Sequence, residues 1–484
     1  MQQVSINPSK KIPKTAISIA ITIIVIFMAM ILRHYPGWTN PDSIDQYNQA
    51  TTGIYYDWHP PIMAHLWALF RTFSITSGPF YVFHIFFYWL GICIIALALV
   101  FTGHRRTAWA IVAVGLSPAF VILTFEILSD TGLTVSFLSA FAILFWHRVN
   151  RKKLHLSLIL LVVVLIMYGV LVRANGVFAG APIIIYAFFP KVTFRPIQLI
   201  FGCVVIIVST LALTPLINRD VFHAHPSYPI YSLEVFDLAG IAAHSHDLSV
   251  LGSDLAMPEQ QLHKCYTPVF WDTFNKGEKC SFIWDLLDSH VKAGAPLDLT
   301  NLWLKAIARH PLAYMEHRTS HFNQELGFIV PRHQAEWHVL LKLSRGKDFD
   351  ASPFRSTTWK IWDYVKENPF FTPAFSFVLS SLLLFLSWPR KAIPNTAIRN
   401  AIFCLAISGV TYSLGYLFIG VGSSVLRYHF WTMLSALIAL TLYLADRSSS
   451  PLRRSELACL CILGIAAISI FLAQIILGDA LYFP

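Results

Sequence analysis

The chain has 484 residues, 56% of them hydrophobic and only 13% charged, with a mean hydropathy of +0.58. A soluble domain of that composition would lack polar cover for its surface, and long apolar runs without strict alternation exclude a membrane β-barrel, so a helical integral membrane protein is expected. The formal charge of +10 would suit nucleic acid, but Lys and Arg sit in short clusters between apolar runs, as in topology-setting loops, and this argues against that partner.

Apolar runs bounded by charge or turn signals predict about eleven spans: 15–32, 79–101, 108–124, 131–146, 154–172, 176–189, 197–217, 371–388, 401–421, 430–445 and 456–478. The first follows Lys10, Lys11 and Lys14 and has no small-residue cleavage site after it, so it reads as a retained helix with its N-terminus in the cytoplasm. Arg173-Ala174-Asn175-Gly176 reads as an external turn that divides the stretch 154–189 in two. With that assignment, seventeen Lys and Arg fall in the loops of one side. The other side, leaving aside one long loop, holds only Arg33, Arg71, Arg173 and Arg427. Such a bias fixes the cationic side as cytoplasmic.

The chain then divides into an N-terminal membrane module (1–217, with an external loop at 33–78), an external domain (218–370) and a C-terminal membrane module (371–484). The long loop is too large for a connection and is rich in Asp, His, Lys, Pro and Trp, so it is expected to fold, mostly as helices. A break is predicted at His310-Pro311, between two short helices. Cys265 and Cys280 lie in this loop, whereas the other five cysteines fall in apolar runs. The pair suits a disulfide in an oxidising compartment, and two free thiols are the alternative.

The residues that carry chemistry cluster where the chain leaves the first span. In Asn40-Pro41-Asp42-Ser43-Ile44-Asp45-Gln46-Tyr47, Asp42 and Asp45 would share one face of a short surface helix. A carboxylate there can take a proton from an acceptor hydroxyl; capping the helix is the plainer role of Asp42. Asp57-Trp58-His59-Pro60-Pro61 forms a rigid turn, with His59 placed to hold a phosphate oxygen or orient an acid, or simply structural. Glu126 and Asp130 flank the short external turn before the fourth span, where Asp130 either shapes the acceptor or a metal site or merely favours a helix N-terminus. Arg173 and Arg427 are juxtamembrane cations whose natural partner is a phosphate, with snorkelling to headgroups as the alternative. Tyr428, His429 and Trp431 add donors and aromatic faces beside Arg427. No P-loop, Gly-x-Gly-x-x-Gly, His-Glu-x-x-His or Gly-x-Ser-x-Gly motif is present, which leaves nucleotide binding and zinc-protease chemistry without a basis.

Taken together, the chain resembles the GT-C glycosyltransferases that use polyprenyl-phosphate sugars, the class of the protein O-mannosyltransferases and lipid A aminoarabinose transferases. The resemblance rests on Asp42 and Tyr47 after the first span, His59-Pro60-Pro61 before the second, Asp130 at the fourth and Arg173-Ala174-Asn175-Gly176 beyond the fifth. It covers about the first 190 residues, and the remainder only in architecture. In length and in the late external loop the chain is also similar to glucosyltransferases that modify O-antigen. The GT-C enzymes it resembles commonly carry adjacent acids before the Tyr, whereas Asp42 and Asp45 are separated here, so the choice of base between them stays open.

The resemblance implies an all-α polytopic membrane protein of GT-C-like fold, in the cell inner membrane with its site outside. It implies inverting transfer of a sugar from a polyprenyl-phosphate donor to a glycan or glycolipid acceptor such as lipopolysaccharide. Asp42 would be the base, with Arg427, Arg173, His59 and Tyr428 on the donor phosphate and Glu126, Tyr47 and Asp57 around the acceptor. Some members of the class use a divalent metal. Two rival readings are an O-antigen ligase or polymerase, suggested by Arg309, His310, His317, Arg318 and His321, and a lipid-linked sugar transporter. Almost uncharged span centres and unmatched halves weigh against the transporter.

Overall fold

The computed structural model describes residues 12–189, 196–329, 361, 369–388, 396–422, 426–447 and 454–476. Of the basic residues behind the charge bias, Lys10, Lys11, Lys191, Arg195, Arg390, Lys391 and Arg453 lie outside this set, as does most of the loop beyond 329. The described residues contain helices, turns and two isolated β-bridges, and no strand. The chain is an all-helical, multi-pass membrane protein.

Helix α1 (Lys14–His34) opens the fold, followed by the short surface helices α2 (Pro41–Thr52) and α3 (Ile62–Arg71). The first membrane module continues through α4 (Gly78–Phe101), α5 (Arg105–Gly115), α6 (Pro118–Phe125), α7 (Ser129–Val149), α8 (Leu156–Leu171), α9 (Gly176–Phe188) and α10 (Pro196–Leu216). The segment between the two membrane modules forms α11 (Ile230–Ser245), α12 (Glu259–Cys265), α13 (Phe282–Lys292), α14 (Leu299–Arg309) and α15 (Pro311–Leu326). The C-terminal module is α16 (Pro373–Ser387), α17 (Ala397–Ile419), α18 (Phe430–Asp446) and α19 (Arg454–Ile476).

A helix stands in each of the eleven expected places, but among the described residues six segments are long and apolar enough to cross a bilayer: α1, α4, α7, Ile197–Val221, α17 and Leu426–Asp446. A seventh is a bent pair. The expected continuous span 108–124 is broken into α5 and α6, which meet at 51°. The cause is local: Pro118 forces Ser117 out of the helical region (ψ 128°) and removes a donor from the ladder. Helices α8, α9 and α16 are apolar but shorter.

The bundle is held by polar groups as well as by apolar packing. Pro182 inside α9 cannot donate to the carbonyl of Phe178, and the Thr411 hydroxyl of α17 takes that acceptor at 2.7 Å. One residue on, Ser408 donates to Ala179 at 2.7 Å. At Gly169 a Cβ would come within 2.5 Å of the Phe137 ring, so α8 and α7 approach only because that side chain is missing.

The segment between the two membrane modules builds its own core from Phe236, Leu238, Ile241, Leu251, Leu255, Leu262 and Phe274. Cys265 and Cys280, both fully buried in it, are bonded in a disulfide. The break at His310-Pro311 separates α14 from α15. This domain is tied to the loop between α2 and α3 by a bridge in which His225 N–H donates to Tyr55 at 2.8 Å and Asp57 N–H donates to His225 at 3.2 Å.

Candidate functional site

The site begins with a helix cap. Asn40 caps α2, accepting from the Ser43 N–H at 3.0 Å, and Ser43 returns a bond to the Asn40 N–H, so Asp42 is released from the capping role. Ser43 also donates to the Ile127 carbonyl at 2.5 Å. Just upstream, Trp38 N–H donates to Phe125 and Ile127 N–H donates back to Trp38, at 2.8 and 2.9 Å. The start of α2 is thereby stitched to the turn that leads into α7. Asp42 and Asp130, distant in sequence, come to one place.

There Asp42 Oδ2 accepts from Arg427 Nη2 at 2.9 Å, with His59 Nε2 3.8 Å from its other oxygen. Below it, Asp130 pairs with Arg173 Nη1 at 2.5 Å and lies 3.9 Å from Arg427 Nε. Both guanidinium groups lie against the Tyr428 ring, Arg173 at 4.4 Å and Arg427 at 5.0 Å from its centroid. Arg173 Nε is further held by the Asn175 side chain at 3.0 Å.

Burial is graded. Asp130 is 2% exposed and Arg427 8%, whereas the Asp42 side chain keeps 39%. Burial by itself would raise the Asp42 carboxyl, but the charges of Arg427, His59 and Arg173 outweigh it and hold the group below its ordinary value. Nε and Nη1 of Arg427 are buried without a hydrogen-bond acceptor among the described residues. The centre is thus two cations, Arg427 buried and Arg173 partly exposed, matched by two carboxylates, with guanidinium donors to spare and one acid at the rim.

Other expected residues sit elsewhere. Asp45 does not share the site: the inward stripe of α2 is Ser43, Gln46 and Ala50, and Asp45 is exposed, accepting from its own Gln49 at 2.7 Å. Tyr47 turns to the opposite side, where its hydroxyl donates to Ile75 at 2.8 Å and its ring packs on Trp67 and Arg71. Asp57 accepts from the Ser227 N–H, a bond that joins the external domain to the loop, and burial raises its carboxyl despite that bond. Glu126 is buried in the bridge with Trp38, close enough for its charge to act on Arg427. No group of three or more His, Cys, Asp and Glu among the described residues could hold a metal ion.

Three contributors were missed by sequence reasoning. The Tyr416 hydroxyl donates to the Tyr428 carbonyl at 2.9 Å, and its ring stacks on Tyr428. Tyr412 lies one turn back, its hydroxyl 3.3 Å from that of Tyr416. Glu325 of α15 meets His429 at 3.4 Å, both side chains fully buried. The two tyrosines were hidden inside an apolar run and Glu325 in a loop dense with charge. The one available signal was the four-residue spacing of Tyr412 and Tyr416, which puts both on one helix face.

No known family model matches the chain, and neither a curated protein nor a solved structure matches it.

Proposed function

We propose that this protein is a membrane glycosyltransferase of the GT-C type. It would transfer a sugar, with inversion, from a polyprenyl-phosphate donor to a glycan or glycolipid hydroxyl on the non-cytoplasmic face of a bacterial inner membrane. The observation that carries the reading is the 2.9 Å contact between Asp42, half-exposed at the rim, and Arg427, buried behind it with unused donors. That juxtaposition puts a base and an anion-binding group within one substrate's reach. An eleven-span topology with an outward site fits the same picture, as do the seventeen cationic loop residues on the other side.

The chemistry follows from partner exchange. A donor phosphate competes with Asp42 for Arg427, because a guanidinium matches phosphate as well as carboxylate. Once Arg427 turns to the phosphate, Asp42 loses the cation that depresses it while its partial burial remains, and it becomes the stronger base. It then accepts the proton of the acceptor hydroxyl. The hydroxyl oxygen attacks the anomeric carbon from the face opposite the phosphate and the C1–O bond breaks. The bonding pair leaves on the lipid phosphate, where Arg427 and Arg173 balance the developing charge. Asp130 keeps both cations in place without being consumed.

The ligase reading gains nothing from the geometry. His317 and Arg318 are buried against Asp237, His321 Nδ1 donates to the Pro268 carbonyl, and Arg309 and His310 are paired with Asp247.

The test is transfer by purified protein from a labelled polyprenyl-phosphate hexose to a cell-envelope glycan pool. Asp42→Asn should lower turnover by about 10²–10⁴-fold, the usual contribution of a general base. Affinity for polyprenyl phosphate should hold or tighten in the same variant, since the competitor for Arg427 has lost its charge. Turnover within a few-fold of the parent would overturn the assignment.

A further inference from the structure

Helix α15 reaches from the core of the external domain to the membrane module, where two of its buried charged residues end, one on the last carbonyls of α17 and one on the turn that carries Arg427. We infer that Arg318 and Glu325 are positioning residues that set the Arg427–His429 turn for the donor phosphate, an inference that rests on the function proposed above. They are seven residues apart, two helical turns, and therefore on one face of α15.

Arg318 is 1% exposed, and both terminal nitrogens of its guanidinium donate hydrogen bonds. Nη1 donates to the Gly420 carbonyl at 2.6 Å and Nη2 to the Phe418 carbonyl at 3.1 Å. The last carbonyls of a helix have no partner within it, and a cation there is favoured by the helix dipole. Helix α17 supplies no basic residue in its own last turn, so the cap comes from another domain. The remaining edge, Nε, meets Asp237 at 2.9 Å. Asp237 is itself fixed by Trp303 at 2.8 Å and His317 at 3.1 Å, and Tyr266 binds the far side of that imidazole at 2.9 Å. The cap is anchored in a chain of buried polar groups inside the external domain.

What it caps matters for the site. The final turns of α17 present Tyr416, which holds the Tyr428 backbone and packs on the Tyr428 and His429 rings. From the same face of α15, Glu325 reaches His429 directly. Trp271 adds a backbone bond to Val421 at 2.9 Å. The turn bearing Arg427 is thus gripped on both sides by the external domain. Stability alone does not call for this design, because apolar residues of similar volume often replace a buried ion pair without loss. A forked cation on two carbonyls does supply a fixed helix end. A displacement of about 1 Å at a phosphate-binding group is enough to cost about 10²-fold.

The experiment uses the full-length protein in nanodiscs and a fluorescent short-chain polyprenyl phosphate as probe, with melting midpoints measured alongside. Arg427→Ala must weaken probe binding; if it does not, the phosphate reading fails and this inference falls with it. Given that loss, Arg318→Gln should weaken binding by about 10- to 100-fold. Glu325→Ala should weaken it by about 10-fold, with Glu325→Gln restoring it through its equal shape. The control is Leu251→Ala, which opens the external core where it packs on α11 and α14 and should lower the melting midpoint at least as much while leaving binding within about 2-fold. Positioning is refuted if Arg318→Gln and Glu325→Ala bind as the parent does, or if Leu251→Ala weakens binding equally.

Discussion

The Asp130–Arg173 pair allows the sharpest test of how the centre is built. Its 2.5 Å contact is almost removed from water on the Asp130 side, at 2% exposure, and well shielded on the Arg173 side, at 21%. Removing one member of a buried pair leaves an uncompensated charge and costs about 3–5 kcal/mol. Unfolding entropy of about 2.1 cal/mol/K per residue gives roughly 1 kcal/mol/K for 484 residues, so that cost lowers the melting midpoint by about 3–5 °C. Because spans keep much of their helix in detergent, the true entropy is smaller and the shift larger, which makes this a lower bound. Asp130→Asn should show it in full, since it strands Arg173, and Arg173→Met a smaller part, since Asp130 keeps Arg427 Nε at 3.9 Å. The double variant should return to within about 2 °C of the parent, because Arg427 still has Asp42 as its partner. Melting of the detergent-purified protein, followed by size-exclusion recovery after heating, reads all four states. Additive losses in the double variant, or single variants that melt with the parent, would refute the electrostatic account of this centre.

The pH dependence of transfer has a definite sign. In the free protein, Arg427 and His59 overcome the effect of burial and hold Asp42 below its ordinary value; with phosphate on Arg427 that restraint is relieved. The acid limb of kcat/KM, which follows the free protein, should therefore lie at lower pH than the acid limb of kcat, which follows the loaded one; coincident or reversed limbs contradict partner exchange. Asp45→Asn should leave turnover within about 2-fold, as its carboxylate answers only to Gln49 and solvent, and a loss above about 10-fold would restore it as a candidate base. Cys265→Ser opens a loop with a sequence separation of 15 and should destabilise the external domain by about 3 kcal/mol, seen as faster protease cleavage between α11 and α15 with the membrane helices intact. Unchanged cleavage would show that the core around Phe236 and Leu262 holds without the bond.

Helices were legible because lipid imposes a coarse rule: a long uncharged run must satisfy its backbone internally, and only a helix does so. The rule locates segments but not their regularity. At Ser117 a single proline bends a run that hydropathy reads as continuous. Asp42, Asp130, Arg173 and Arg427 were legible as candidates for the same reason, since charge beside lipid is costly and stands out. Asp45 was not separable from Asp42, because the deciding fact is the rotation of α2. A Ser43 bond to Ile127, 84 residues on, sets that rotation, and no local pattern encodes it.

The residues that escaped notice share a different property. Tyr416 and Glu325 act on the centre through other groups, and their chemistry appears only once α15 and α17 are side by side. A charged side chain in a loop rich in charge carries no signal until its burial is known, and burial is a property of the assembled domain. This is why the two layers of the site differ in visibility. Groups that would meet a ligand must tolerate the membrane boundary and so look anomalous in sequence. Groups that hold them, like Arg318 on the end of α17, satisfy ordinary helix and hydrogen-bond needs and look like packing. The second layer is readable from one question put to the fold, namely which residue completes the unpaired carbonyls of each helix that leads into the site. For α17 the answer lies about a hundred residues away, in another domain, and it predicts a dependence of phosphate binding on Arg318 that its exposure, charge and position in the chain would never suggest.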